Sequence, residues 1–164
     1  AVCMPGPGVF FRRSAWVRAG GWNIQLRQWP DYDYWLRLGL QGPFERIARP
    51  CAEFRVHGNS QTYVPAAFDR ADEPVRILRE YYEDSHNLPS RIRSSKSLAM
   101  SSAALASAQL HFRAGRLAPG FSRLFSALRT QWRVVLMPSA WRVVAHGLFS
   151  RPLTKIRLAL RRQG

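Results

Sequence analysis

At 164 residues the chain has material for one domain, or for one small lobe with a helical appendage. Its formal net charge of +15 is unevenly spread: residues 1–84 hold 11 Lys and Arg against 10 Asp and Glu, whereas residues 85–164 hold 14 Lys and Arg and no carboxylate. No apolar run is long enough to span a membrane, no basic stretch followed by an apolar core marks a signal peptide, and Cys3 and Cys51 stand without a second Cys or a His at metal-ligand spacing, which argues against a zinc site or a disulfide framework.

The two cysteines read as isolated reduced thiols of a cytosolic protein. The chain opens at Ala1-Val2-Cys3, a few residues before a predicted strand and without a starting Met, the pattern of a fragment. Val9-Phe10-Phe11 is a short apolar run, read as a buried strand. Ser14 is placed to cap a brief helix over Ala15–Ala19, and Gly20-Gly21 ends it. Asn23 to Trp29 reads as a loop.

Pro30-Asp31-Tyr32-Asp33-Tyr34-Trp35-Leu36-Arg37-Leu38 then opens a helix over residues 31–41. Proline suits the first turn because its missing N–H has no partner there, and acidic residues in that turn are favoured by the helix dipole. Tyr34, Leu38 and Gln41 fall on one line, and Gly42-Pro43 stops the helix. Asp33 and Arg37 lie at i and i+4 and can pair. Asp31 has no such partner in the local sequence and is left near the helix entrance.

Residues 44–56 are strand-like: Ala52, Phe54 and Val56 alternate with Glu53, Arg55 and His57, the period of a half-buried strand, with Pro50 breaking the segment into two strands or a bend. From Asp69 the period changes. Val75, Leu78, Tyr81 and Tyr82 predict an amphipathic helix, and Asn87 to Pro89 a break. Leu98, Leu105 and Phe112 recur every seven residues, with Ala and Ser between them that permit close helix packing. Gly115 predicts a C-cap and Pro119 a first-turn residue, after which Phe121, Leu124, Phe125 and Leu128 form an apolar stripe. The pair resembles one helix-turn-helix unit of tetratricopeptide type. A last stripe of Trp141, Val144, Ala145 and Leu148 precedes Pro152 and a basic tail.

The ordered set in residues 5–62 carries a more specific resemblance. Phe10-Phe11-Arg12-Arg13, the short helix, Gly20-Gly21-Trp22, the acidic-aromatic motif running into Trp35-Leu36-Arg37-Leu38, and Phe54-Arg55-Val56-His57 resemble, in this order, the second half of the catalytic domain of family 2 glycosyltransferases. The resemblance implies an α/β fold: a partial Rossmann-like nucleotide-sugar domain of GT-A type over residues 1–68, followed by a basic α-helical extension over residues 69–164. It implies an inverting transfer of a sugar from a nucleotide-sugar donor to a saccharide or lipid-linked acceptor hydroxyl, in the cytoplasm or at the inner membrane face.

The resemblance carries the general base to Asp31, with Asp33 holding Arg37 in a supporting role. Relatives of that family often have an acid before the base, where this chain has Pro30. It also implies a divalent Mg or Mn ion, bound mainly by residues upstream of this chain. Asp31-Tyr32-Asp33 is itself a literal D-x-D, but it follows a polar loop and enters a helix, whereas the metal signature should close a buried apolar strand. His57 reads either as a metal or diphosphate contact or as a surface His at a strand end. Arg55 reads as a phosphate contact or as a partner for Glu53. Trp35 reads as a sugar-stacking ring or as core, with core favoured beside Leu36 and Leu38.

A second class of function follows from charge alone. A non-catalytic basic helical protein would bind nucleic acid or an anionic membrane surface through its second half, where Arg151, Lys155, Arg157, Arg161 and Arg162 flank Leu153, Ile156 and Leu160. No helix-turn-helix, zinc or RNP pattern supports nucleic acid, which is the less favoured partner. A third reading is a folded lobe that has lost its nucleotide-binding half.

Overall fold

A computed structural model describes residues 8–53, 64–84, 88–138, 140–142 and 145. The chain divides into two compact units, Ala1–Val64 and Pro65–Gly164. Helix fills 65% of the described residues, and none of them forms a strand. The expected α/β domain with a Rossmann-like sheet is therefore corrected to an all-helical architecture. The physical reason lies in what alternation can encode. A period of two marks which side chains would share a sheet face, but a strand exists only when a neighbour accepts its backbone N–H and C=O groups. Residues 9–11 and 44–53 make no ladder. They do approach each other at one point: Gly8, at φ 90°, sits so close to Cys51 and Ala52 that an added Cβ would lie 3.1 Å from the Ala52 Cβ. The remaining strand-like residues, Phe54 to His57, lie outside the described residues.

In the first unit α1 (Arg13–Ala19) and α2 (Pro30–Gly39) pack together. Helix α1 begins one residue before Ser14, behind Arg12 and with no side-chain cap, so Ser14 is not the cap expected from its residue type. Gly20, at φ 77° and ψ 176°, takes a positive-φ conformation open to glycine, and the helix ends there. The loop that follows is held by an Asn23 turn: the Gln25 N–H donates to the Asn23 Oδ1, and the Leu26 N–H to the Asn23 carbonyl. Helix α2 has Pro30 at its first position and ends two residues before the expected stop, with Leu40 and Gln41 winding on through bonds to the Arg37 and Leu38 carbonyls. Its buried line is Tyr34 and Leu38, which close on Ala19 with Ala15 and Trp35 alongside.

The second unit holds α3 (Phe68–Ala71), α4 (Glu73–Asp84), α5 (Ser90–Ser94), α6 (Lys96–Arg113), α7 (Leu117–Thr130) and a 3₁₀ helix (Trp132–Leu136). Helix α6 is central, with α4 and α7 packed against it. Its Ala103, Ala104, Ser107 and Ala108 are buried, and these small residues let its neighbours come close. Leu105 and Phe112 of the seven-residue repeat are buried, but Leu98 is exposed. On α4, Val75 and Leu78 are buried as the periodicity predicts and Ile77 joins them, while Tyr81 and Tyr82 are half-buried.

The α6–α7 turn is fully determined by its hydrogen bonds. Gly115, at φ 77°, donates to the Phe112 carbonyl, and the Arg116 N–H reaches back to the His111 carbonyl. These two bonds are the Schellman pattern, which satisfies carbonyls the helix end leaves open. Four residues further on, Gly120 is buried with its backbone against the Phe112 ring, in space that a Cβ would need. Helix α7 therefore turns Gly120 and Ala127 inward, and Phe121 and Phe125 of its apolar stripe stay exposed.

Candidate functional site

Arg37 organises the first unit. Its Nε and one terminal nitrogen donate to the Asp33 Oδ2 at 3.1 and 2.7 Å, the i, i+4 pair foreseen from spacing. The same guanidinium donates to the Ala19 carbonyl and, at 2.9 Å, to the Gly21 carbonyl. It thus covers the open C-terminal end of α1, where a cation also complements the helix dipole. Its guanidinium carbon lies 5.4 Å from the centre of the Tyr34 ring. One side chain therefore ties the end of α1, the Gly20-Gly21 turn and the first turns of α2 together.

Tyr34 is the hub of an aromatic cluster. Trp22 stacks on it at 4.8 Å between centroids, and Phe11 and Trp35 meet it edge-on at 5.7 and 5.5 Å. Trp35 also packs edge-on against Phe11 and Phe44. The Tyr34 ring is fully buried, and burial pushes its phenol pKa above the ordinary value, with nearby Arg37 opposing. Neither the Tyr34 hydroxyl nor the Trp35 indole N–H has a hydrogen-bond partner among the described residues.

Asp31 stands apart from this arrangement. It is the second residue of α2 and half-buried, and its Oδ1 accepts the neighbouring Tyr32 N–H at 2.9 Å. It forms no ion pair among the described residues. The two carboxylates of the D-x-D are thus unlike: Asp33 is committed to Arg37, whereas Asp31 keeps an oxygen available at the mouth of the helix. This division also bears on metal binding. A guanidinium already occupies Asp33 Oδ2, so Asp31 and Asp33 do not fit a divalent ion. Among the described residues no group of three His, Cys, Asp or Glu side chains converges on a point. Arg55 and His57, the phosphate and metal candidates, lie outside the described residues, as does the basic segment 151–162.

Sequence reasoning foresaw the Asp33–Arg37 pair but not the reach of Arg37 to the carbonyls of α1. The signal was present in Gly20, where an added Cβ would stand 3.4 Å from a terminal nitrogen of Arg37.

The second unit contains a polar cluster that the sequence reading missed entirely. Asp72, between α3 and α4, accepts at Oδ1 from the Ser107 hydroxyl, the Arg123 Nε and the His111 Nε2, and at Oδ2 from the other Arg123 nitrogen. The Arg116 Nε donates to the His111 Nδ1 at 3.0 Å, and a terminal nitrogen of Arg116 donates to the Ala66 carbonyl at 2.8 Å. Because an arginine N–H can only donate, His111 Nδ1 carries no proton, and the ring is the neutral tautomer protonated at Nε2. Burial lowers the His111 pKa; the Asp72 carboxylate opposes that shift, and Arg116 and Arg123 add to it. For Asp72, burial acts to raise the pKa, but the hydrogen bonds from Arg123, Ser107 and His111 and the Arg123 charge outweigh it and hold the carboxyl below its usual range.

Ser, His and Asp in one cluster invite comparison with a nucleophilic triad, but the bonding order rules out that chemistry. Ser107 donates to the carboxylate rather than to the imidazole, and the free nitrogen of His111 is occupied by Arg116. The cluster is a part-buried fastening between α6, α7 and the start of α4, with Ser107 and His111 on its buried side. Phe68 packs edge-on against the His111 ring at 5.1 Å and closes it off.

No family model, curated protein or solved structure matches this chain. Among the described residues, no helix is long and apolar enough to cross a membrane.

Proposed function

We propose that the first unit carries the acceptor-activating element of an inverting sugar transfer, with Asp31 as general base. The observation that carries this reading is the unequal use of two carboxylates one residue apart. Arg37 ties Asp33 to the end of α1, and the Asp31 carboxylate, which has no such ion pair among the described residues, is presented from the first turn of the helix so fixed. Holding a base on a rigid element is what proton transfer in a positioned complex needs. In the reaction Asp31 accepts the proton of an acceptor hydroxyl while that oxygen attacks the anomeric carbon. The bond from that carbon to the nucleoside diphosphate breaks on the opposite face, and the pair of electrons leaves with the diphosphate. The ordered motifs of residues 5–62 support the reading beside this geometry.

The Mg or Mn ion that the resemblance implies would be held mainly by residues outside those described, so each step here is derived from Asp31 and its neighbours. Where the acceptor is lipid-linked, the reaction belongs at the cytoplasmic face of a membrane. The test is release of nucleoside diphosphate from a panel of nucleotide sugars offered with saccharide and lipid-linked acceptors. Acceptor-dependent release from one donor, abolished in Asp31→Asn, is the expected result. Release that is absent for every donor, or that survives in that variant, contradicts the proposal.

A further inference from the structure

The second unit leaves in solvent a line of large apolar side chains that the proposed reaction does not use. Leu117, Phe121 and Phe125 follow one another at i, i+4 and i+8 on α7 and are 54, 53 and 60% exposed. The inward side of that helix is closed by Gly120 and Ala127; Phe121 also meets the Phe112 ring of α6 edge-on at 5.1 Å, yet like Leu117 and Phe125 it keeps more than half of its surface in solvent. Arg129, one turn further, is exposed, with its guanidinium carbon 5.9 Å from the centre of the Phe125 ring. The 3₁₀ helix then buries Val134 and leaves Trp132 and Leu136 exposed, with Arg133 over the Trp132 ring at 5.8 Å. Met137, Trp141 and Arg142 are exposed beyond it. No carboxylate side chain occurs anywhere in residues 85–164.

We propose that the exposed side of α7, with the 3₁₀ helix after it, is a docking surface for an anionic lipid bilayer. Leu117, Phe121 and Phe125 would enter the boundary between headgroups and acyl chains, and Arg129 and Arg133 would meet the lipid phosphates. Charge complementarity selects this occupant. Residues 117–142 bring arginines and no carboxylate of their own, which draws them to negative headgroups, and aromatic rings beside guanidinium groups suit the interface, where one end of a side chain is apolar and the other wet. Leu117, Leu136 and Met137 separate this surface from one that tracks nucleic acid, because aliphatic side chains neither stack on bases nor pair with phosphates. A second copy of the chain is disfavoured by the same positive charge on both faces. The inference stands independently of the proposed sugar transfer.

Co-sedimentation of the full chain with vesicles tests it directly. Binding is expected to vesicles of phosphatidylcholine and phosphatidylglycerol and not to phosphatidylcholine alone. The double variants Leu117→Ser/Phe125→Ser and Arg129→Gln/Arg133→Gln should each weaken partitioning by about tenfold with an unchanged far-ultraviolet circular dichroism spectrum. These residues are exposed, so the variants keep the fold, and the first pair leaves the Phe112–Phe121 ring contact untouched. Three results overturn the proposal: no binding to anionic vesicles, undiminished binding in both double variants, or displacement from vesicles by a single-stranded oligonucleotide together with a steep salt dependence. Concentration-dependent dimerisation abolished by Leu117→Ser/Phe125→Ser would instead assign the face to a second copy and would equally overturn it.

Discussion

In the first unit the fully buried Tyr34 sits at the centre of a small cluster with Ala19 and Leu38, while Phe10, Val17, Ile24 and Phe44 remain more than half exposed. In the second, three helices share a core of small and aliphatic residues, and a buried histidine is satisfied at its edge by a part-exposed carboxylate and two arginines. The two regions have comparable apolar content to draw on but unlike means of burying it. Alanines and serines let α4 and α7 approach α6 closely, so a modest number of side chains closes a core. The first unit has two short helices and extended segments without a ladder, so aromatic rings and the Arg37 clasp do the work that a sheet would otherwise do.

This contrast predicts where each unit breaks. Asp72→Ala leaves Arg123 without its acceptor and removes the partner of His111 and Ser107, and should lower stability by about 2–4 kcal/mol, seen in urea unfolding followed by circular dichroism. Gly120→Val forces a branched side chain into the Phe112 ring and should cost about 1–3 kcal/mol in the same experiment, with the α6–α7 signal most affected. Arg37→Met frees the end of α1 and strands Asp33. A loss of about 1–2 kcal/mol, confined by hydrogen exchange to the first unit, is expected because the pair is partly solvated.

Acid should act on the Asp72–His111 cluster of the second unit. Unfolded His111 takes up a proton near its ordinary value of 6.5, whereas the folded ring resists until lower pH, so protons favour the unfolded state. Stability is therefore fully present above pH 6.5 and falls as the pH drops below it; Asp72, whose folded pKa is also depressed, adds a further loss as the pH falls through and below 3.8. A pH series of thermal midpoints in wild type and His111→Gln should show the first of these steps only in wild type. Smallest of all, Leu98→Ser should change stability by less than about 0.5 kcal/mol, since Leu98 is exposed despite its place in the seven-residue repeat.

What could be read from the sequence was local. Pro30, the acidic first turn and the Tyr34–Leu38 line define α2, and Gly20 and Gly115 mark helix ends that both prove to have positive φ. The Asp33–Arg37 pair follows from spacing. What failed depended on partners distant in the chain. Residues 9–11 and 44–53 have strand-like side-chain patterns but no ladder to join. Phe121 and Phe125 form a convincing stripe, yet Gly120 decides which side of α7 faces inward, because only a residue without a side chain lets the backbone meet Phe112. The Asp72 cluster joins residues up to 51 positions apart, and no periodicity reports such a set.

We propose that Asp31 and Asp33, one residue apart, do different work. The most direct measurement sets Asp31→Asn beside Asp33→Asn, recording sugar transfer and thermal midpoint for each. Asp31→Asn is expected to keep the wild-type midpoint and to lose transfer by about a hundredfold or more, whereas Asp33→Asn is expected to lower the midpoint by releasing Arg37. Transfer retained within a few-fold in Asp31→Asn, or a drop in its midpoint as large as that of Asp33→Asn, would contradict it.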